Sequence, residues 1–344
     1  MSGQHWRIGT KVNSRYKPFY RYFTAWQVPL LIILVLFNGF GCGSQPPPIA
    51  QTIEPVESKP IEPANTKPEF PQVSGNRLME HVEALAYERY RNVDRDRARE
   101  YIIQSLEEAG YSPQLQPFDG GINIAAERRG TDAAAGTILL GAHYDTVPDS
   151  PGADDNATGV AAVLEIARLL ANVETSRTLE LVFFDSEEVG LLGSLAYAST
   201  ADAQTLHGAI VLDMLGVACR TPGCQQYPQG LPAVALPETG DFLAVVGNTE
   251  RLDLLKTFST AQNPELPPVV TLPIPLRGLL TPDVLRSDHA PFWLQGIGAV
   301  MVTDTANFRN PYYHQPTDLP ETLDRDFFFG SAQIVLNATV ILLN

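Results

Sequence analysis

Acidic residues and histidines recur in this 344-residue chain where short apolar runs end. Gly141-Ala142-His143-Tyr144-Asp145 follows Thr137-Ile138-Leu139-Leu140, and Asp185-Ser186-Glu187-Glu188 follows Leu179 to Phe184. Asp213 follows Ala209-Ile210-Val211-Leu212. A lone histidine is most often structural, and adjacent glutamates usually just face solvent. Three such coincidences are hard to obtain from surface composition, so together they favour a site. Pro151 to Gly159 adds Asp154, Asp155 and Asn156 just ahead of a helical pattern, where an ordinary helix cap is the plain alternative. Tyr312-Tyr313-His314-Gln315-Pro316-Thr317-Asp318 is the last piece. Histidine and carboxylate donors without cysteine suit zinc in a water-holding catalytic site rather than a closed structural one.

The elements that must carry these residues are readable from periodicity. The three apolar runs are too short for buried helices and read as central strands. Between the first two, Val160, Val163, Leu164, Ala167 and Leu170 form a helical stripe. Asp94 to Ala109 has the same spacing, with Asp94 as the expected cap and Gly110 as the stop. Strands at 242–246 and 299–303 and a final helix near Phe327 to Leu343 complete the pattern. Such alternation predicts an α/β three-layer sandwich, a mixed but mostly parallel sheet flanked by helices. In open sheets of this kind ligands collect beyond the carboxyl ends of the strands, where these residues stand.

In order and content the pieces resemble metallopeptidase family 28, the co-catalytic zinc aminopeptidases, whose relatives include glutamate carboxypeptidases and glutaminyl cyclases. The resemblance runs from about Leu78 to Asn344 and includes Ser287-Asp288-His289 as well as the segments above. It implies two zinc ions bridged by Asp155, one completed by His143 and Asp213, the other by Glu188 and His314. It implies further that Glu187 is the general base, that Asp145 orients the imidazole of His143, and that Tyr313 stabilises the tetrahedral intermediate. Peptide or protein N-termini would be the substrates, their ammonium met by the acidic cluster. Asp288 and His289 match a motif near the site but receive no ligand role, while His81 and His207 lie outside any motif. The rival within the fold is a single-zinc glutaminyl-peptide cyclase, although such enzymes usually carry Trp where this chain has Tyr313. A non-catalytic binding module is the rival from another class, and it would typically have lost a ligand or the base. A glutamate carboxypeptidase would need an inserted domain for which the chain is too short.

Composition sets the surroundings. Apolar residues make up 44% of the chain, enough for a core. Ahead of Cys42 stand Arg7, Lys11, Arg15, Lys17 and Arg21 and no acidic residue. The remainder carries 19 basic against 39 acidic residues, a balance that argues against nucleic acid. The basic leader runs into the short apolar stretch Val28 to Phe37 and then Cys42, so residues 1–42 read as a signal peptide or membrane anchor. Cys42 resembles a bacterial lipoprotein cysteine, although Gly39 stands where an aliphatic residue is usual. Lipidation, an uncleaved anchor and a secreted form all place the domain outside the bacterial cytoplasm, in the envelope or beyond it. Residues 43–74 are proline-rich and read as an extended spacer, leaving 75–344 as the catalytic domain. Cys219 and Cys224, with Pro222-Gly223 between them, are either a loop disulfide or two free thiols.

Overall fold

A computed structural model describes residues 70–229, 231 and 236–344; the leader, Cys42 and the spacer up to residue 69 lie outside them. Eight strands form one sheet: β1 Gln114–Phe118, β2 Gly121–Arg128, β3 Thr137–His143, β4 Thr178–Phe184, β5 Leu206–Leu212, β6 Leu243–Asn248, β7 Val269–Ile274 and β8 Ala299–Thr303. Their order is β1-β2-β4-β3-β5-β8-β6-β7. The four central strands β4, β3, β5 and β8 are mutually parallel. By contrast, β2 runs antiparallel to β4 and β6 antiparallel to β8, so the sheet is mixed around a parallel centre. The helices are α1 Gly75–Leu85, α2 Asn92–Glu108, α3 Gly159–Leu170, α4 Leu192–Thr200, α5 Leu252–Ala261, α6 Ala290–Leu294 and α7 Arg325–Leu343.

The expected three layers are present. Residues of α1, α2, α3, α5 and α7 share one core with one face of the sheet, and Ala198 of α4 with Phe292 and Trp293 of α6 packs on the other face. Val160, Val163, Ile166, Ala167 and Leu170 of α3 are all buried. Each large aliphatic side chain so placed contributes roughly 1.5–3 kcal/mol. The last helix, α7, would be long and apolar enough to cross a membrane by length and composition, yet most of it is buried in this domain.

Two local expectations shift. The N-cap of α2 is Arg91 rather than Asp94, which lies inside the first turn and takes Arg91 Nε at 2.8 Å. An acid there complements the helix dipole without capping. Ahead of Gly75, Val73 N–H donates to Gln333 Oε1 at 3.0 Å and Gln333 Nε2 donates to Pro71 O at 2.9 Å, so residues 71 and 73 pack on α7 with the domain. The cysteines are bridged, Cys219 to Cys224.

Register and chain order place the future site. β3 sits between β4 and β5, so the chain leaves β3 to one side and later returns to the other. A crevice opens at such a reversal. Parallel pairing sets His143 beside Phe184, and Ala142 beside Leu212. His143, Asp185 and Asp213 therefore come to one level at the carboxyl edge.

Candidate metal centre

The side chains at that edge converge on two groups whose possible ligand atoms lie within 4.8 Å of one another: His143, Glu187 and Asp213 in one, Asp155, Glu188 and His314 in the other. Asp155 joins them. Its Oδ1 is 3.4 Å from His143 Nε2, and its Oδ2 is 3.2 Å from His314 Nε2. Asp213 Oδ1 lies 3.7 Å from the same His143 nitrogen, and Glu188 Oε2 lies 3.1 Å from His314 Nε2. The Asp155 carboxylate thus turns one oxygen towards each imidazole.

Backbone conformation aims these groups. Ser186, Met214 and His314 have φ values of 61°, 59° and 57°, in the left-handed region that non-glycine residues seldom enter. Gly152 is left-handed too, and a Cβ there would fall 2.3 Å from Asp155 O. The loop it opens is sewn to its surroundings. Asn156 Nδ2 donates to Leu212 O, and Asn156 Oδ1 accepts from Met214 N and Gly159 N. Asp318 accepts from the backbone N–H of both Asp154 and Asp155, at 3.0 and 3.1 Å. Buried Arg89 donates to Tyr144 O, Pro151 O and Gly152 O, fastening the start of the same loop.

Asp145 has two tasks. Its Oδ1 stands 3.6 Å from His143 Nδ1, the side of the ring away from Asp155. The same carboxylate accepts the backbone N–H groups of Glu187 and Glu188, at 3.0 and 3.2 Å, and so fixes the turn that presents both glutamates. The resemblance gives it only the first of these.

Electrostatics mark the cluster as unusual. Burial raises the Glu187 carboxyl well above its ordinary range, with the charges of Asp288, Glu188 and Asp213 adding to the effect against His143. Burial and the Asp155 charge push Glu188 up to about 7. Burial works to lower His314, yet its bonds to Asp155 and Glu188 carry it up to about 9. His143 is raised well above its usual value against the same penalty, by Glu187 and by bonds to Asp145, Asp155 and Asp213. Among the described residues, buried Glu188 Oε1 has no hydrogen-bond partner, and His314 Nε2 faces only the carboxylates of Asp155 and Glu188. Orphaned buried donor atoms of neutral-imidazole and carboxylate type fit a metal ion, which would take the place of the protons.

His289 is settled by its contacts. Its Nε2 meets Val284 O at 2.8 Å and its ring packs edge-on against Trp293, so it is a core histidine. Asp288 is wholly buried next to the site, and burial, offset by His143 and Ser194, brings it up to about 7. His81 contacts Tyr101 OH at 2.7 Å, and His207 lies half-buried near Asp253; both are far in role from the cluster. Tyr313 stacks on His314 with ring centroids 3.7 Å apart.

From the cluster a cavity of about 830 Å3, counting its solvent-open mouth, runs along β6, β7 and β8. Leu231, Phe242, Ala244, Val246, Leu272 and Met301 make its walls apolar. Gln225 to Pro228, just past the disulfide, form one side.

Residues 123–339 match the model of peptidase family M28. The chain belongs to this family. YfbL of Escherichia coli K12, an uncharacterized protein, is 33% identical over 84% of this chain and 92% of its own length. The probable lipoprotein aminopeptidase LpqL of Mycobacterium tuberculosis is 32% identical over 59% of this chain, a match spanning 42% of LpqL. An aminopeptidase from Aneurinibacillus sp. strain AM-1 has the same fold, with a TM-score of 0.60 at 16% identity, over 78% of this chain and 93% of that one. The shared fold accounts for the mixed sheet flanked by helices.

Proposed function

We propose that this M28 chain is a zinc aminopeptidase that holds two metal ions bridged by Asp155, with His143 and Asp213 on one and Glu188 and His314 on the other. The observation that carries the reading is the division of the Asp155 carboxylate between two imidazoles, at 3.4 and 3.2 Å. Zinc held by these residues would supply a Lewis acid for the scissile carbonyl and would draw the pKa of water towards neutrality. The remaining work belongs to side chains. Glu187, buried and raised in pKa, takes the proton of the attacking water and returns it to the leaving amine. Tyr313, at the cavity wall beside His314, donates to the oxygen that becomes negative. Asp213, Asp155 and Glu187 line the same cavity, and their negative charge meets the substrate ammonium. The apolar walls behind them accept a large aliphatic or aromatic N-terminal side chain.

The leader and its Cys42 support an extracytoplasmic place for the domain, tethered by lipid or by the apolar run, as the name of LpqL suggests for that relative. Cys42→Ala should then release the protein from membranes with its activity intact. One assay tests the catalytic reading: hydrolysis of leucine anilide against cyclisation of a glutaminyl peptide, with and without a chelator. Chelator-sensitive anilide hydrolysis supports the aminopeptidase. Cyclisation alone would favour the cyclase, and neither activity in zinc-loaded protein would favour a binding module.

A further inference from the structure

Among the described residues, Arg286 is the one arginine or lysine on the wall of the catalytic cavity, where the other charged residues are acidic or are His143. It is exposed, follows the short 3-10 turn Pro282–Leu285, and has no carboxylate partner among the described residues. Its Nη2 donates to Tyr313 OH at 3.0 Å, and its Nη1 donates to Asn307 Oδ1 at 3.0 Å. Asn307 belongs to a different loop, the 3-10 turn Ala306–Phe308, so the guanidinium spans the rim between three loops.

A guanidinium has five N–H donors and no acceptor. The Tyr313 oxygen can therefore only accept from Arg286, and its own proton must go elsewhere. Among the described residues no acceptor for that proton is found, and Tyr313 lines the cavity. Stacking on His314 at an interplanar angle of 20° holds the ring, so rotation of the O–H is the main freedom left. A cation bonded to the phenol oxygen also makes the O–H a stronger donor.

We infer that Arg286 is a positioning residue: it occupies the accepting side of the Tyr313 oxygen and so points the phenolic proton into the cavity, at the carbonyl oxygen of the bound substrate. This rests on the aminopeptidase reading and on the role proposed there for Tyr313. Arg286 itself touches no reacting atom. Asn307 fixes the second arm of the fork, so that a lysine, with a single-point ammonium, would hold the phenol less well.

The test is a double-mutant cycle in the zinc-loaded full chain with leucine anilide, which carries no carboxylate. Tyr313→Phe should lower kcat by roughly 10²–10³-fold, the scale for loss of one oxyanion donor. Arg286→Met should lower kcat by about tenfold with KM little changed, as expected for a lost charged hydrogen bond. In the Tyr313→Phe background Arg286→Met should do nothing further, and Arg286→Lys should recover part of the loss in the presence of Tyr313. Zinc content and melting temperature identify any variant that has merely misfolded; for such a variant Arg286→Gln takes its place in the cycle. Multiplying effects in the double variant would overturn the inference, as would an Arg286→Met change confined to KM. If Arg286→Met weakens binding of the dipeptide Leu-Gly but not of its amide, Arg286 holds a substrate carboxylate and the inference is wrong. If Tyr313→Phe alone leaves kcat intact, the role of Tyr313 fails, and the inference with it. A normal Arg286→Met beside an impaired Tyr313→Phe would defeat the inference alone.

Discussion

Asp154 and Asp155 are neighbours of one residue type, both buried, yet their carboxyl groups live in opposite surroundings. Asp154 is satisfied by protein: Oδ1 accepts from Gly216 N at 2.8 Å, Oδ2 accepts from Asn310 Nδ2 at 2.8 Å, and Asp304 lies against it. Burial and the Asp304 charge raise it well above the carboxylate range, against its bonds to Gly216 and Asn310. Among the described residues, the Asp155 side chain accepts no backbone N–H and faces two imidazoles instead, whose bonds hold it below the usual range against burial. What separates a frame from a site is thus neither burial nor acidity. It is whether the acceptor atoms are filled by backbone and amide donors, as in Asp154, or face imidazoles that are themselves able to bind a metal, as in Asp155.

The comparison can be broken most severely by exchanging these two positions. Asp155→Asn should strip the metal and with it essentially all activity, because the shared negative charge is lost. Asp154→Ala should leave the metal ligands themselves intact but lower stability, by about 1–3 kcal/mol for each buried donor left without a partner. Thermal melts of the metal-free variants read this difference. Equal melting temperatures, or zinc retained in Asp155→Asn, would dissolve the distinction.

A smaller effect separates Glu187 from Glu188. Glu187→Gln should keep the metal and the fold while turnover falls by roughly 10²–10⁴-fold. Glu188→Gln should weaken metal binding along with rate. The reverse pattern would exchange the roles of base and ligand.

The loop that carries these residues was legible only in part. Apolar runs ending in acids gave β3, β4 and β5, and the helical stripe gave α3, because each buries a nearly continuous hydrophobic face. The hairpin β1–β2 was missed, since Gln114 and Leu115 are exposed and Pro117 interrupts any strand pattern. β7 at the opposite edge is only partly buried and equally faint. The resemblance picked out Asp155 over Asp154, whose residue type and position before a helix are the same. Nothing local marked Asp318 as the anchor of that loop, because its partners are 163 and 164 residues away. Asp145, expected to touch only His143, also holds Glu187 and Glu188 through their backbone, a contact created by the packing of β3 against β4.

Proton linkage gives a weaker but directional effect at the same site. His314, carried up to about 9, and Glu188, up to about 7, must both lose protons to serve a metal. Zinc affinity should therefore rise as pH goes from below 7 towards 9 and then level off. A competition titration with a chromophoric chelator at several pH values would show it; a flat profile would contradict the assignment of His314. The smallest effect concerns His81 and His289, both lowered to about 4 chiefly by burial. Depressed histidine pKa values make the folded state bind fewer protons than the unfolded one between about 4 and 6.5. Stability should be complete above 6.5 and fall as pH drops through that window, a slope that His81→Gln should reduce in melts of metal-free protein.

Zinc stoichiometry tests the bridge most directly. Elemental analysis of purified, zinc-reconstituted protein should give two ions per chain, with both weakened in Asp155→Asn and one lost first in His314→Ala. A single ion per chain, unchanged by His314→Ala, would contradict the claim that Asp155 joins two metal centres.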